Sequence, residues 1–229
     1  DWVGEIGGGK VTHLHRHVAR REAWVVDVER ADGSIFEGFL RIERHSMDGA
    51  PVSLRKEARI CDALSRTSVP VPQLHGWNEE HRAALLARDP GRSDIDTLGN
   101  ESQQRAVMED FIRVVGRLHK LELDDLGLDD ILGRRPQSPE DCALDDLNAQ
   151  LAQYADFLKG YTDPLLSYGV QWLERFVPEK IDRVSLVQGD TGPVNFMFQD
   201  NAVSVVVDWE WGHWGDPMED LGNICVREF

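Results

Sequence analysis

The sequence predicts an α+β fold with two lobes, a small lobe of strands with one helix followed by a larger, mainly helical lobe. Segments rich in β-branched and aromatic residues occupy much of the first ninety positions, whereas apolar residues recur at helical spacing beyond residue 100. The turn-forming residues Asp89, Pro90 and Gly91 separate the two patterns. We therefore expect residues 1–90 to form the first lobe and residues 91–229 the second.

The first lobe is expected to contain a hairpin, one helix and a further strand. Residues 23–29 and 35–42 have strand composition, and the Asp-Gly pair between them indicates a hairpin turn. Apolar residues within 52–65 fall at helical spacing, and the prolines that follow cannot continue a helix. Residues 83–87, with the sequence AALLA, predict a short buried strand.

The second lobe is expected to begin with a long amphipathic helix. Asn100 suits the N-cap position, and apolar residues recur at steps of three and four across residues 101–121. Residues 122–146 are acidic and contain two prolines, so we expect this segment to be rich in loops. Helical spacing returns over residues 147–176, and a last strand-rich stretch covers residues 184–211.

The chain is strongly acidic, with 25 Lys and Arg residues against 41 Asp and Glu residues and a formal net charge of −16. Such a surface repels phosphate backbones, which argues against a nucleic-acid partner. It could attract an amine-bearing small molecule, although solubility explains the charge equally well. No apolar run reaches the length of a membrane helix and the first residues lack signal-peptide features, so we expect a cytoplasmic protein without a membrane partner.

Most of the candidate chemistry lies in residues 186–220. A short apolar strand ends just before Asp190, Asn195 follows five residues later, and an apolar hairpin ends at Asp208. Carboxylate and amide oxygens presented by loops at strand ends suit a hard divalent cation. Asp and Asn beside Gly and Pro are also ordinary turn residues, so the order and spacing of the set carry the interpretation.

This segment resembles the signature of the aminoglycoside phosphotransferase and choline kinase superfamily, the small-molecule relatives of protein kinases. That signature is His-Gly-Asp, four residues and Asn, then a hairpin, Asp-Trp/Phe-Glu, and a Gly-Asp-Pro…Asp-Leu tail. The matching residues here are Gln188-Gly189-Asp190, Asn195, Asp208-Trp209-Glu210, Gly215-Asp216-Pro217 and Asp220-Leu221. The resemblance implies a protein-kinase-like form of the two-lobed fold.

The resemblance also implies a phosphotransferase that moves the γ-phosphate of ATP or GTP to a hydroxyl group of a small molecule. Asp190 would accept or orient the proton of that hydroxyl, and Asn195 and Asp208 would hold Mg²⁺. Asp216 and Asp220 would brace the following loop and helix rather than contact the nucleotide. The implied partners are a nucleotide and a small hydroxyl-bearing substrate. The acidic second lobe weakly favours a substrate that also contains an amine. The oligomeric state stays open.

In the first lobe, the resemblance implies residues that bind the nucleotide phosphates. Arg41 matches the family's cation on the third strand, which contacts the α- and β-phosphates. Glu57 in the following helix matches the acid that pairs with that cation. The glycine run that includes Gly8 and Gly9 would let backbone amides cover the phosphates, although a flexible terminus would explain these glycines as well.

The family hinge, whose backbone binds adenine, corresponds to the end of the predicted strand at residues 83–87. Ala87 and Asp89 are its expected nucleotide-binding residues. This assignment makes the first lobe the nucleotide-binding lobe and leaves the catalytic and metal loops to the second.

Three features depart from the family pattern. Gln188 replaces the usual His, but its amide has both a donor and an acceptor that could support the same loop. Arg41 stands where many relatives have Lys, which keeps the charge but changes its geometry. Relatives continue beyond the position that matches Phe229, so we expect this chain to lack helices that complete the acceptor pocket.

Two other functions remain open at this point. The departures at Gln188 and Arg41 are compatible with a catalytically silent, pseudokinase-like module that binds a nucleotide. The same acids could also serve a metal-dependent phosphohydrolase. The sequence does not identify the acceptor, nor does it distinguish ATP from GTP.

The histidines and cysteines support weaker hypotheses. His13, His15 and His17 alternate along a predicted strand, so their rings share one face and could bind a metal. His119 is expected to pack or to cap the long helix, and His213 to shape its loop. The three cysteines are scattered, which predicts free thiols.

Overall fold

The computed structural model describes residues 1–18, 22–43 and 53–227. The first part of the chain forms an antiparallel five-stranded sheet with strand order β1-β2-β3-β5-β4. Its elements are α1 (Trp2–Gly7), β1 (Gly9–His17), β2 (Glu22–Arg30), β3 (Ile35–Ile42), α2 (Leu54–Leu64), β4 (Leu74–Asn78) and β5 (Ala83–Ala87). The predicted α+β class and the kinase-like arrangement of a strand-rich part followed by a helical part are confirmed.

The predicted β2–β3 hairpin is present, and its turn residues explain why it closes there. Glu29 pairs with Ile35 at the end of the ladder. Gly33 has a φ of 82°, a conformation that glycine adopts without steric cost. The carboxylate Oδ1 of Asp32 accepts hydrogen bonds from the backbone N and the hydroxyl of Ser34 at 2.9 and 2.7 Å. Local chemistry therefore fixes the register that brings Arg41 into β3.

Helix α2 packs on the sheet and on the second part of the chain. It begins after Ser53, whose hydroxyl accepts a hydrogen bond from the backbone N of Lys56 at 3.1 Å. Leu54 and Ala58 pack with Ala84 of β5. On another face, its side chains join the largest core cluster of the described residues, which includes Ile60, Cys61, Leu64, Phe111, Leu118 and Trp209. The helix therefore connects the sheet to the loops of the second part.

The second part of the chain is mainly helical. The helices are α3 (Glu101–Leu118), α4 (Leu123–Leu126), α5 (Asp129–Leu132), α6 (Pro139–Leu158), α7 (Pro164–Arg175) and α8 (Met218–Arg227). As predicted, Asn100 caps α3, accepting a hydrogen bond from the backbone N of Gln103 at 2.9 Å. Phe111 of α3 stacks on Phe196 with ring centroids 4.3 Å apart. None of the described helices has the length and apolarity needed to cross a bilayer.

Two small sheets hold the candidate chemistry beside α3. Their strands are β6 (Ser185–Val187) paired with β9 (His213–Gly215), and β7 (Phe196–Gln199) paired with β8 (Ala202–Val206). The β7–β8 turn has Asp200 and Asn201 at φ values of 47° and 61°, as a type I′ hairpin turn requires. The loop after β6 and the loop after β8 are joined by a hydrogen bond from the Val207 N to the Asn195 O at 2.9 Å.

Three secondary-structure predictions were wrong. One helix was expected in the first lobe, but a second, short helix α1 precedes the sheet. Gly8 ends this helix in a left-handed conformation at a φ of 78°. Residues 122–146 are less rich in loops than expected, since they hold α4, α5 and the start of α6. Ser138 caps α6 and Pro139 occupies its first turn, a start signal that the acidic composition obscured. Helix α3 ends at Leu118 rather than at residue 121.

Candidate functional site

The buried side chain of Gln188 joins the two loops that carry the candidate acids. Its Oε1 accepts a hydrogen bond from the backbone N of Asp190 at 2.8 Å. Its Nε2 donates to the carbonyl oxygens of Val207 and Asp208 at 3.2 and 2.9 Å. Gln188 is only 1% exposed, so these bonds do not compete with water. The amide therefore uses its donor and its acceptor to fix one loop against the other.

The preceding glycine allows this close approach. Gly189 has a φ of 79°, and a Cβ at this position would lie 2.6 Å from the carbonyl oxygen of Trp211. Any other residue would be strained there both by its backbone conformation and by this contact. The glycine of the motif is therefore required by the geometry of the loop.

Asp190 and Asn195 contact each other directly. The Nδ2 of Asn195 donates to the Asp190 carboxylate Oδ2 at 2.7 Å and to the Asp190 carbonyl oxygen at 2.6 Å. The other carboxylate oxygen, Oδ1, forms an ion pair with the guanidinium of Arg227 at the end of α8. Because its amide nitrogen faces Asp190, Asn195 has its carbonyl oxygen left as the group able to ligate a cation.

Asp208 lies across the cleft from β3, in a left-handed backbone conformation with a φ of 60°. Such a conformation is uncommon outside glycine and is concentrated at turns and functional sites. The Nη2 of Arg41 lies 3.5 Å from the Asp208 Oδ1 and 4.0 Å from the Glu210 Oε2. The Nη1 of Arg41 forms an ion pair with Glu57 of α2. Strand β3, helix α2 and the loop after β8 therefore meet at one guanidinium.

The charge of Arg41 is maintained despite its burial. Desolvation lowers the pKa of the guanidinium, but attraction to Glu57, Asp208 and Glu210 outweighs this effect, and the pKa is raised above its usual value. Arg41 is therefore fully charged at any physiological pH. Two of the three acids that face it are themselves buried, since Glu57 and Glu210 are each 2% exposed.

These residues line a cleft of about 540 Å³. Arg41, Glu57, Asn195, Asp208 and Glu210 form its polar end. The apolar and hinge side is formed by Val25, Phe39, Leu86, Ala87, Arg88, Asp89 and Met197, among others. The volume falls within the range of small-molecule sites.

The hinge residues Ala87 and Asp89 lie at this cleft, but their hydrogen-bonding groups are partly used. The Ala87 N donates to the Gln73 O at 2.8 Å. The Asp89 carboxylate accepts hydrogen bonds from the Gly91 N at 2.7 Å and the Ser204 hydroxyl at 2.8 Å. Both bonds go to the Oδ1 atom, so one carboxylate oxygen of Asp89 holds the hinge in place.

The structure does not bring Gly8 and Gly9 to this cleft, so their predicted placement is corrected. Gly9 begins β1 and pairs with Arg30, whereas His17 at the other end of β1 lines the cleft. Eight residue steps along a strand separate the two ends by roughly 26 Å. A run of three glycines indicates backbone freedom but not the direction of the strand that follows it.

Asp220 has the expected bracing role, but it supports the earlier loop that carries Asp190 rather than the loop and helix that follow it. It is fully buried, and its Oδ2 and Oδ1 accept hydrogen bonds from the backbone N of Gln188 at 3.0 Å and of Gly189 at 2.9 Å. His119 completes this arrangement, since its Nε2 lies 2.8 Å from the Asp220 Oδ2. The predicted packing role of His119 is therefore confirmed, and it extends to the loop.

Asp216 and His213 shape the segment that leads into α8. Asp216 accepts a hydrogen bond from the backbone N of Met218 at 2.9 Å. The two ring nitrogens of His213 lie 2.9 Å from the Trp211 carbonyl oxygen and 3.0 Å from the Glu219 carboxylate. Both contacts are to acceptors, so they favour a doubly protonated ring. Burial opposes this charge, but Glu219, Asp146 and the Trp211 carbonyl raise the pKa of His213 to about 9.

The oxygen donors of the cleft fit a magnesium ion. Asp208 Oδ1 is buried and has no hydrogen-bond partner within the described part of the chain. No cluster of three His, Cys, Asp or Glu side chains suited to a metal occurs among residues 1–18, 22–43 and 53–227, which also leaves the histidines of β1 without a metal site there. Mg²⁺ is commonly held by one or two protein oxygens together with substrate phosphates and water. Asp208 and Asn195 could supply those protein oxygens.

Sequence reasoning missed two residues of this site. Arg227, which pairs with Asp190, lies 37 positions after it in the chain and is not part of any recognised motif. Glu210 was quoted within the motif, but its proximity to Arg41 depends on the fold. Cysteines 61, 142 and 225 are free, as predicted.

Comparison with solved structures identifies the same fold in several phosphotransferases. A macrolide 2'-phosphotransferase, MphH from Brachybacterium faecium, is 18% identical, with 93% of this chain and 70% of that chain covered and a TM-score of 0.61. Aminoglycoside phosphotransferase APH(4)-Ia, in a ternary complex with ADP and hygromycin B, is 17% identical with a TM-score of 0.64, covering 93% of this chain and 71% of that one. A choline/ethanolamine kinase family protein from Mesorhizobium loti is 15% identical, with 93% and 63% covered and a TM-score of 0.61.

Sequence comparisons extend beyond the fold. The mouse (Mus musculus) protein acyl-CoA dehydrogenase family member 10 is 24% identical over 191 residues, which span 77% of this chain and 17% of that protein. This chain therefore corresponds to a small part of that relative. The profile of the phosphotransferase enzyme family matches residues 17–229, which include every residue placed at the cleft above. This chain belongs to the phosphotransferase enzyme family.

Proposed function

We propose that this protein is a magnesium-dependent phosphotransferase that moves the γ-phosphate of ATP, or of GTP, to a hydroxyl group of a small molecule. The observation that carries the proposal is the convergence of two loops, joined through Gln188. They bring Asn195 and Asp208 to one cleft with Arg41 opposite, and Asp190 is hydrogen-bonded to Asn195 beside that cleft. Phosphoryl transfer depends mainly on alignment and charge compensation, and this arrangement supplies both.

Asp190 is the proposed base. As the acceptor oxygen bonds to the γ-phosphorus and the bond to the bridging oxygen of the leaving diphosphate breaks, the hydroxyl proton passes to the Asp190 carboxylate. Asn195 and Arg227 hold one carboxylate oxygen each, which fixes the plane of the group. Each oxygen has more than one lone pair, so these contacts leave capacity to accept a proton.

Arg41 is proposed to contact the α- and β-phosphates. Its ion pair with Glu57 restricts the guanidinium to the polar end of the cleft, where its charge compensates that of the phosphates. Asn195 and Asp208 would hold Mg²⁺, which would neutralise charge on the transferred group. The backbone of the hinge at Ala87 and Asp89 would hold the base of the nucleotide.

The acceptor class is proposed from the activities of the structurally similar proteins and from the charge of the chain. Those proteins are described as acting on aminoglycosides and macrolides or as choline/ethanolamine kinases. The formal net charge of −16 favours an amine-bearing acceptor over an anionic polymer. A panel of amino alcohols, aminoglycosides, macrolides and sugars covers this range.

The decisive experiment compares Asp190→Asn with the wild-type chain on that panel. We expect phosphate transfer to fall by roughly 100-fold or more, since general-base groups contribute on that order, while Mg-nucleotide binding measured by calorimetry is retained. Asp200→Asn is the matched control, because Asn suits the exposed type I′ turn and leaves the cleft intact.

Three outcomes would contradict the proposal. Equal turnover in Asp190→Asn would exclude Asp190 as the base. Mg-nucleotide binding by the wild-type chain without transfer to any acceptor would instead favour the catalytically silent module. Phosphate release from phosphorylated metabolites without any nucleotide would favour a phosphohydrolase.

A further inference from the structure

A second cavity, of about 320 Å³, lies outside the nucleotide cleft. It lies between the N-terminus of α2, the segment after α5, helix α6 and strand β9. Its polar lining includes Ser53, Lys56, Arg134, Asp145, Asp146 and His213. None of the residues that line it also lines the cleft that contains Arg41. The volume is at the lower end of the range for small-molecule sites.

Lys56 is the unusual group in this cavity. Its side chain is 7% exposed, and no partner within hydrogen-bond distance or within 4.0 Å for an ion pair faces its ammonium among the described residues. Asp146 and Glu210 attract it only at longer range. A buried ammonium without a close partner is costly, and lysine is rarely buried unless it is paired. The described residues therefore supply no counter-ion at close range to the Lys56 ammonium.

The other charges of the cavity already have partners. Arg134 forms ion pairs with Asp141 at 3.1 Å and with Asp145 at 3.8 Å. Asp146 accepts a hydrogen bond from the Gln150 amide at 2.6 Å. His213 is paired with Glu219, as described above. The Gln150 amide is neutral, so Asp146 keeps its charge and attracts both Lys56 and His213. Counted formally, Lys56, Arg134 and protonated His213 against Asp145 and Asp146 give the lining a net charge of +1, and among the described residues Lys56 is the cation of this lining without a close ion pair.

The backbone adds to this positive potential. Lys56 lies in the first turn of α2, an eleven-residue helix whose N-cap, Ser53, also lines the cavity. The N-terminus of a helix carries about half a positive elementary charge and favours anions. The helix end and the Lys56 ammonium therefore act on the same space.

We propose that this cavity binds the anionic group of a small molecule, a carboxylate or a phosphate, with Lys56 as its principal ligand. The site is independent of the nucleotide cleft and does not require that the chain transfer phosphate. An anion bound there would contact α2, which carries Glu57, and β9, which follows the Asp208 loop. Its occupancy would therefore connect two elements that also form the polar end of the cleft.

The first experiment measures the access of a reagent to Lys56. Burial lowers the pKa of Lys56 to about 8, so its amine is more reactive near neutral pH than an ordinary lysine. The full chain, saturated with Mg-nucleotide to fill the cleft, is treated with an amine-acylating reagent, and each lysine is quantified by mass spectrometry. Inorganic phosphate and propionate are added in separate arms to distinguish the two anion types.

We expect at least one of these anions to slow acylation of Lys56 saturably, by roughly tenfold at an anion concentration ten times its Kd. The exposed lysines Lys10, Lys120 and Lys180 serve as internal controls and should not be protected. The proposal would be overturned if neither anion changed the acylation rate of Lys56, or if the rates fell equally at all four lysines.

The second experiment tests binding directly. Phosphate and propionate are titrated calorimetrically into the nucleotide-saturated wild-type, Lys56→Met and Lys120→Met chains. Met preserves the length of the side chain and removes the charge, so we expect loss of anion binding in Lys56→Met and wild-type affinity in Lys120→Met. Equal affinity of all three chains would contradict the assignment of Lys56. Since neither experiment measures turnover, their failure would leave the proposed phosphotransferase activity standing.

Discussion

Gln188 donates a hydrogen bond to the carbonyl oxygen of Asp208 at 2.9 Å while accepting one from the backbone of Asp190, so a single amide spans the proposed base and the proposed metal ligand. The family signature that this segment resembles has His at this position. An imidazole also offers one donor and one acceptor in its neutral form, which explains physically how Gln can replace it.

Removing this amide should uncouple the two loops. We predict that Gln188→Leu lowers kcat by about tenfold or more, because Asp190 and Asp208 lose their common support, and destabilises the chain by about 1–3 kcal/mol through unsatisfied buried groups. Gln188→His should retain most of the wild-type kcat and most of the wild-type stability. The measurements are steady-state kinetics and urea unfolding, and an unimpaired Leu variant would show that the link is dispensable.

Breaking the ion pair between Arg41 and Glu57 should affect nucleotide binding most. In Glu57→Gln the guanidinium loses a buried partner, so we predict a nucleotide Kd raised by roughly tenfold or more and a loss of stability on the order of 3 kcal/mol. Glu79→Gln is the control, since Glu79 pairs with Arg55 at the exposed surface. The prediction fails if calorimetry gives the same nucleotide affinity for both variants.

The ion pair between Arg227 and Asp190 predicts a positioning role for Arg227. We expect Arg227→Met to lower kcat by roughly tenfold with little change in the nucleotide KM, since the carboxylate loses one of its two fixed contacts. Arg227→Lys should restore part of the rate, which a purely structural role would not require. A higher rate in Arg227→Met would instead indicate that the ion pair restrains the base.

Local patterns predicted the parts of the fold that depend on local chemistry. Strand β5 lies at residues 83–87 as predicted, because four of its five residues are buried apolar side chains between two neighbouring strands. The β2–β3 hairpin and the Asn100 cap follow from turn and cap residues that act within three positions. The start of α6 was equally local, since Ser138 and Pro139 form a known start signal, but acidic composition was given more weight.

Long-range relationships could not be predicted in the same way. Arg227 reaches Asp190, and Asp220 reaches the backbone of Gln188, only because α8 folds back beside the loop after β6. Periodicity does not encode that contact. The position of Gly8 likewise depends on which end of β1 faces the cleft, and this is set by pairing with β2 rather than by the glycines themselves. The motif therefore identified the candidate acids, while the tertiary structure supplied their supports.

His213 should make the stability of the chain depend on pH. Its pKa rises from about 6.5 in the unfolded chain to about 9 in the folded chain, so the native state holds a proton that the unfolded state has released across this window. The stabilisation is complete below the lower value and is lost as pH rises through the higher one. Its size is on the order of 3 kcal/mol.

We predict that wild-type stability declines between about pH 6.5 and pH 9 more steeply than that of His213→Gln, which keeps a polar side chain but does not titrate there. Urea unfolding at several pH values measures both curves. Parallel curves over the whole window would show that the pairing with Glu219 does not retain the proton.

Lys56 gives the opposite dependence on pH. Burial lowers its pKa from 10.5 to about 8, so in the folded chain it releases a proton that the unfolded chain still holds between these values. The cost of holding the charge is fully present below pH 8 and disappears as pH rises toward the unfolded value. At neutral pH the cost is on the order of 3 kcal/mol.

We therefore predict that Lys56→Met is more stable than the wild-type chain at pH 7, by up to about 3 kcal/mol, and that the difference narrows as pH rises above 8. Lys120→Met, at an exposed position, should change stability by less than about 0.5 kcal/mol. Urea unfolding in an anion-free buffer measures the difference. Adding the anion that protects Lys56 from acylation should stabilise only the chains that retain this lysine, since mass action favours the state that binds it. If Lys56→Met were less stable than the wild type without added anion, Asp146 and Glu210 would already compensate the charge of the ammonium. An external counter-ion would then not be required in the cavity.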